Sequence, residues 1–122
     1  MNEPYKYENA ELSQSCRLLA RTIAETKAHV DVIPGIVNNT YILLVKGKKP
    51  YSNMKVVLSP LTYVVQPAYW GVEVLACVSG ILLPEISEYD EDLALDGIRG
   101  KKGIEVIFSG GETVKLEVPK II

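Results

Sequence analysis

Tyr69-Trp70-Gly71-Val72-Glu73-Val74-Leu75-Ala76-Cys77-Val78-Ser79-Gly80 is the stretch whose reading decides the fold. It opens with the alternation of a half-buried strand and becomes apolar on both faces. Val72, Val74, Ala76 and Val78 share one face and Glu73, Leu75 and Cys77 the other, because successive strand side chains point to opposite sides. A strand apolar on both sides needs cover on both. The stretch therefore predicts the central strand of a sheet.

Toward the C-terminus, Ile81-Leu82-Leu83-Pro84 extends the apolar run past a flexible Ser79-Gly80. Residues Glu85 to Gly100 hold six acidic side chains without a clear period and read as a long acidic surface loop pinned by Leu93 and Leu95. A hairpin follows. Ile104, Val106 and Phe108 face Val114 and Leu116 if Ser109, Gly110 and Gly111 form a three-residue loop. That register keeps apolar faces together and sets Glu105 across from Lys115. It predicts a type I turn with Gly111 left-handed.

Toward the N-terminus, Lys55–Leu58 and Leu61–Gln66 read as two strand pieces divided by Ser59-Pro60, an edge, bulge or bend because proline cannot donate to a ladder. Tyr41–Val45 reads as a strand buried on both faces, and His29–Ile33 as a short strand closed by Pro34-Gly35, with Ile36-Val37 resuming it. Asn38-Asn39-Thr40 is a turn. From Asn9 to about Ala28 the period is helical: Leu12, Cys16, Leu19 and Ile23 recur at four, three and four, with Asn9 as cap. Met1–Glu8 reads as an N-terminal arm. The expected fold is α+β over residues 1–122 as a single domain: one N-terminal helix packed on a mostly antiparallel sheet of about six strands, curved toward a barrel.

Composition sets the class. The chain has 122 residues, 48% hydrophobic and 23% charged, with net charge −2. That is ordinary for a globular domain and offers no basic field for nucleic acid. Cys16 and Cys77 lie in apolar patterns and read as reduced, buried thiols. Met1–Tyr7 lacks the basic-then-apolar order of a signal peptide, and no run is long enough for a membrane helix. The expectation is a cytoplasmic protein without cofactor, metal or membrane partner.

Candidate chemistry is sparse. His29, the only histidine, shares a strand face with Asp31, but no nucleophile is placed beside them, so no catalytic residue is assigned. The turns Lys46-Gly47-Lys48-Lys49 and Arg99-Gly100-Lys101-Lys102 offer Lys48, Lys49, Lys101 and Lys102 as weak anion contacts; strand alternation puts both turns beside the acidic loop, where the charges neutralise one another. Tyr69, Trp70 and Leu18 are the candidate partner-binding residues, since Tyr and Trp combine large contact area with a polar tip. The leading function is a non-catalytic interaction module, including self-association as a homodimer. The alternative is a small-ligand-binding protein or enzyme with a pocket between helix and sheet lined by Tyr41, Tyr63 and His29.

Overall fold

The computed structural model describes residues 15–119. Among them there is no α-helix, and the α+β expectation is overturned: the fold is all-β. The strands are β1 (Ser15–Leu18), β2 (Thr22–Ile23), β3 (Thr26–Lys27), β4 (His29–Pro34), β5 (Tyr41–Lys49), β6 (Lys55–Pro60), β7 (Tyr69–Val78), β8 (Ser87–Ala94), β9 (Gly103–Ile107) and β10 (Thr113–Glu117). The Met1–Glu8 arm, and Asn9, Glu11 and Leu12 of the expected helix, lie outside the described residues.

The helical spacing was a coincidence of a strand, a crossing and a hairpin. Cys16 lies in β1 opposite Cys77. Leu19 is buried where the chain crosses the sheet: its N–H donates to Val74 O (2.9 Å) and its carbonyl accepts from Ser109 N (3.0 Å). Ile23 belongs to the β2–β3 hairpin, whose turn places Ala24 and Glu25 at φ 50° and 64°. Thr22, Ile23 and Thr26 are β-branched and suit strands better than helices.

β7 is central, as its sequence demands. One edge pairs antiparallel with β6. The other is shared end to end: β9 runs parallel along Tyr69–Glu73, and β1 antiparallel along Leu75–Val78. β10 extends the sheet beyond β9. A second sheet has the order β4-β5-β8, all antiparallel. Leu43 and Val45 of this sheet, and Val72, Val74, Ile104 and Val106 of the first, are fully buried in one core cluster, making a two-layer sandwich. Burying such side chains at about 25 cal/mol per Å² of apolar surface is the main stabilising term.

Half of the acidic segment, Ser87–Ala94, is strand and not loop. β8 is an edge that sets Glu88 opposite Lys48 and Asp90 opposite Lys46. Charged edges resist pairing with other chains, and opposite charges across a ladder stabilise it. The acidic composition concealed an alternation in which Tyr89 and Leu93 share a face. The C-terminal hairpin has the expected register, Val114 to Val106, Lys115 to Glu105 and Leu116 to Ile104. Gly111 is left-handed (φ 76°) as expected; Gly110 is too (φ 74°), so the turn is not a plain type I. Asn39 is left-handed in its turn (φ 66°). Pro60 ends β6 on a sheet edge, but Leu61–Gln66 is a loop and not a strand; nor do Ile36-Val37 or Ile81–Leu83 continue strands.

The cysteines are not free thiols. Cys16 and Cys77 are joined by a disulfide across the β1–β7 pair, with Cα atoms 4.0 Å apart. No described helix is long and apolar enough to cross a membrane.

Candidate functional site

Strand directions give the sandwich two ends. At one end lie the β4–β5 loop (35–40), the β6–β7 loop (61–68) and the β8–β9 loop (95–102). At the other lie the β5–β6 loop (50–54), the β7–β8 loop (79–86) and the start of β1.

The three-loop end is organised by the aromatic residues. Trp70 is half-buried against the core, and its Nε1–H donates to Leu61 O (2.8 Å). Tyr63 stands edge-on to Trp70, centroids 5.0 Å apart, and its hydroxyl accepts from Gly71 N (3.1 Å). On the far side of the tip, Gln66 Nε2 donates to Arg99 O (2.9 Å). Val64 and Val65, between these two fixings, are held out into solvent, Val64 fully. The 95–102 loop ties the layers together. Its Lys101 and Lys102 N–H groups donate to Pro67 and Ala68 carbonyls, Leu95 N donates to Tyr41 O, and the Arg99 guanidinium lies 5.5 Å from the Tyr41 ring centre. The 35–40 loop, closed by Gly35 N to Thr40 O, presents Ile36 and Val37 at its tip. Four exposed apolar side chains thus stand on two loops at one end.

The expected site residues separate accordingly. Trp70 is a support whose polar tip is already engaged. Tyr69 lies on the outer sheet face; its hydroxyl donates to Glu117 Oε2 (3.2 Å) and Lys115 Nζ is 5.1 Å from its ring centre. Loss of surrounding water, then the Glu117 carboxylate, raises its pKa. Tyr41 and Tyr63 lie at the three-loop end, whereas His29 pairs with Lys46 toward the other, so these three do not line one pocket. The basic turns also separate: Lys48 and Lys49 lie at the end opposite Lys101 and Lys102, and only the first turn adjoins the acidic strand. Lys49 Nζ donates to Met54 O (2.7 Å). His29 Nε2 and Asp31 Oδ2 are 3.9 Å apart on one face, both largely exposed. A shallow hollow of about 500 Å³ there mixes Lys27, Lys46 and Lys48 with Glu88 and Asp90. No three His, Cys, Asp or Glu side chains gather at metal-binding range among the described residues.

At the opposite end a groove of about 510 Å³ opens beside β1 and β7, bordered by the 50–54 and 79–86 loops. Ala76 and Val78, with Ser15 and Arg17 opposite them on β1, form one wall, and Ile23, Tyr51 and Met54 contribute to its lining. Leu82 adds a lip from the 79–86 loop. Asn53 clamps that loop, donating from Nδ2 to Ile81 O (2.7 Å) and accepting at Oδ1 from Leu83 N (3.1 Å). Ile81, Leu83 and Ile86 beside it are exposed. Leu18, the one expected partner-binding residue on this groove, is half-buried. Sequence reading missed the groove and both apolar tips, because apolar runs such as Val64-Val65 and Ile81–Leu83 carry the same pattern whether buried or held in solvent. No protein family, characterised protein or solved structure matches this chain.

Proposed function

We propose that the chain is a non-catalytic interaction module that engages a protein partner through its three-loop end. The observation that carries this reading is the presentation of Val64 and Val65: exposed, yet fixed on one side by Tyr63 and Trp70 and on the other by the Gln66–Arg99 hydrogen bond. Exposed apolar residues scattered singly need no explanation, but pairs held at the tips of neighbouring loops mark interaction surfaces. A rigid loop also loses less conformational entropy on binding. Trp70 serves that surface from beneath, and Tyr69 flanks it. The Cys16–Cys77 disulfide supports work in an oxidising setting in place of the reducing cytoplasm, since structural disulfides persist chiefly there.

Capture from a native extract tests the reading with three immobilised proteins: wild type, Ile36→Ser/Val64→Ser and Leu82→Asp. A partner held by wild type and Leu82→Asp but released by the loop variant supports it. A partner held equally by all three rejects the loop end as the surface. Sedimentation of the same proteins at micromolar concentration identifies the case in which the partner is a second copy.

A further inference from the structure

We infer that the groove at the opposite end is a binding site for a small anionic amphiphile, with its apolar arm along Ile23, Met54, Ala76 and Val78 and its head at Arg17. This goes beyond the loop-end reading and does not depend on it. The volume, about 510 Å³, falls within the range of small-molecule sites, which are mostly apolar with a few placed polar groups. Leu18, Ile23, Met54, Ala76 and Val78 supply the apolar lining.

Charge selects the head group. Among the described residues Arg17, which is exposed, is the one charged side chain on the lining, and no carboxylate lines the groove. Glu112, three residues beyond the lining Ser109, is paired with Arg21 at 3.6 Å. A guanidinium beside an apolar cleft suits a carboxylate or phosphate, which it binds through two parallel N–H donors. The hydroxyls of Ser15, Tyr51 and Ser109 add donors on the same lining. The clamped lip explains the neighbouring exposed residues: Leu82 meets the groove, while Ile81 and Leu83 offer an apolar approach to it. A concave site of this size fits one apolar chain better than a protein face, which needs roughly 1,000 Å² of complementary surface.

The test uses the full oxidised chain and three probes of equal chain length: dodecanoate, dodecanol and dodecyltrimethylammonium. Binding is followed by backbone NMR shifts, and the unfolding midpoints of all variants are measured alongside. Dodecanoate is expected to shift Leu18, Ala76 and Leu82 and to bind at least tenfold more tightly than the cation. Arg17→Gln should weaken dodecanoate about tenfold and leave dodecanol within twofold. Leu82→Asp should weaken both while the midpoint is kept. Dodecanoate binding unchanged in both variants, shifts confined to the three-loop end, or no binding at millimolar probe overturns the proposal. So does a dimer that Leu82→Asp abolishes, which would give the groove to a second copy.

Discussion

The two ends of the sandwich solve the same problem in opposite ways. Both leave apolar side chains in solvent, but the three-loop end holds them out on a hydrogen-bonded base, whereas the other end sets them beside a hollow that Leu82 lines. At the three-loop end the supporting polar groups are engaged: the Trp70 indole, the Tyr63 hydroxyl, the Gln66 amide and the Lys101 and Lys102 amides. Its left-handed positions are Asn39 and Gly97, residues suited to that conformation. The groove end gathers the exceptions. It has the disulfide, a turn with Ala24 and Glu25 left-handed, and below that hairpin a buried Tyr89 hydroxyl without a hydrogen-bond partner among the described residues. Departures from local rules concentrate where structure serves a site. The difference points to the groove end as the one shaped for a ligand, and to the loop end as a stable platform.

Removing the disulfide should have the largest effect. It closes a loop of 61 residues in sequence separation, so the chain-entropy estimate of its contribution is roughly 4 kcal/mol. Cys16→Ala/Cys77→Ala is expected to lower unfolding free energy by about that amount, measured by urea denaturation. It should also release β1, and with it Arg17 and Leu18 from the groove wall, while the loop-end hydrogen bonds persist. Hydrogen exchange that loosens the 61–68 loop as much as β1 would erase the distinction between the ends.

Gly100→Ala attacks the other end. A Cβ there would lie 2.4 Å from the Ala68 carbonyl oxygen and 2.6 Å from that of Pro67. These are backbone atoms, so no rotamer change relieves the clash, and the two loops must part. The expected loss is roughly 3 kcal/mol. Partner capture through Val64 should fail, whereas dodecanoate binding at the groove should stay within twofold. A variant as stable as wild type would mean that the loops are not joined at this point.

Particular residues explain what the sequence disclosed. β7 was legible because two-sided apolarity over ten residues has few other causes, and the C-terminal hairpin because charge and face matching select one register. The crossing at Leu19 was not, since its hydrogen bonds to Val74 and Ser109 are set by tertiary contacts far away in sequence. β8 was hidden because its acidic residues disfavour strands intrinsically; only pairing shows that Glu88 and Asp90 lie opposite Lys48 and Lys46. Of the candidate sites, Trp70 was found for its surface chemistry, and its indole N–H is bonded to Leu61 O beneath the 61–68 loop. The groove requires β1, the hairpin and two loops to converge, and no local pattern encodes that.

Tyr89 gives the comparison a pH axis. Its ring packs against Gly47, and the hydroxyl is buried with the side chain 6% exposed. Burial pushes its pKa up to about 12, with the nearby Arg21 charge pulling in the other direction. In the unfolded chain the phenol titrates near 10. The folded state therefore favours the neutral form. That contribution is fully present below pH 10 and is lost as pH rises toward 12. Two pKa units correspond to roughly 2 to 3 kcal/mol. Unfolding free energy should fall by about this amount across that window. Tyr89→Phe should remove the tyrosine-specific part of the fall and itself be nearly neutral at pH 7, because it deletes a buried donor without a partner among the described residues. An unchanged alkaline profile in Tyr89→Phe would mean that other groups control it.

The smallest expected effect concerns the turn that misled the helical reading. Two-residue hairpin turns with both central residues at positive φ favour Asn-Gly, because a Cβ disfavours that conformation by roughly 1 kcal/mol or more. Here Ala24 and Glu25 occupy those positions, and Ala28 N to Arg21 O (2.9 Å) and Arg21 Nε to Ala28 O (3.2 Å) close the hairpin beyond them. The turn is thus imposed by its closure and by Ile23 packing on the core, not by its own residues. Ala24→Asn/Glu25→Gly should stabilise the protein by about 1 kcal/mol, seen as a rise of roughly 4 °C in Tm. If the left-handed pair only shapes the hairpin, dodecanoate affinity stays within twofold. If its strain keeps the groove open, stability rises while affinity falls, and the contrast between a platform end and a ligand end becomes sharper. A variant that is less stable than wild type would show that the chain does not make this turn.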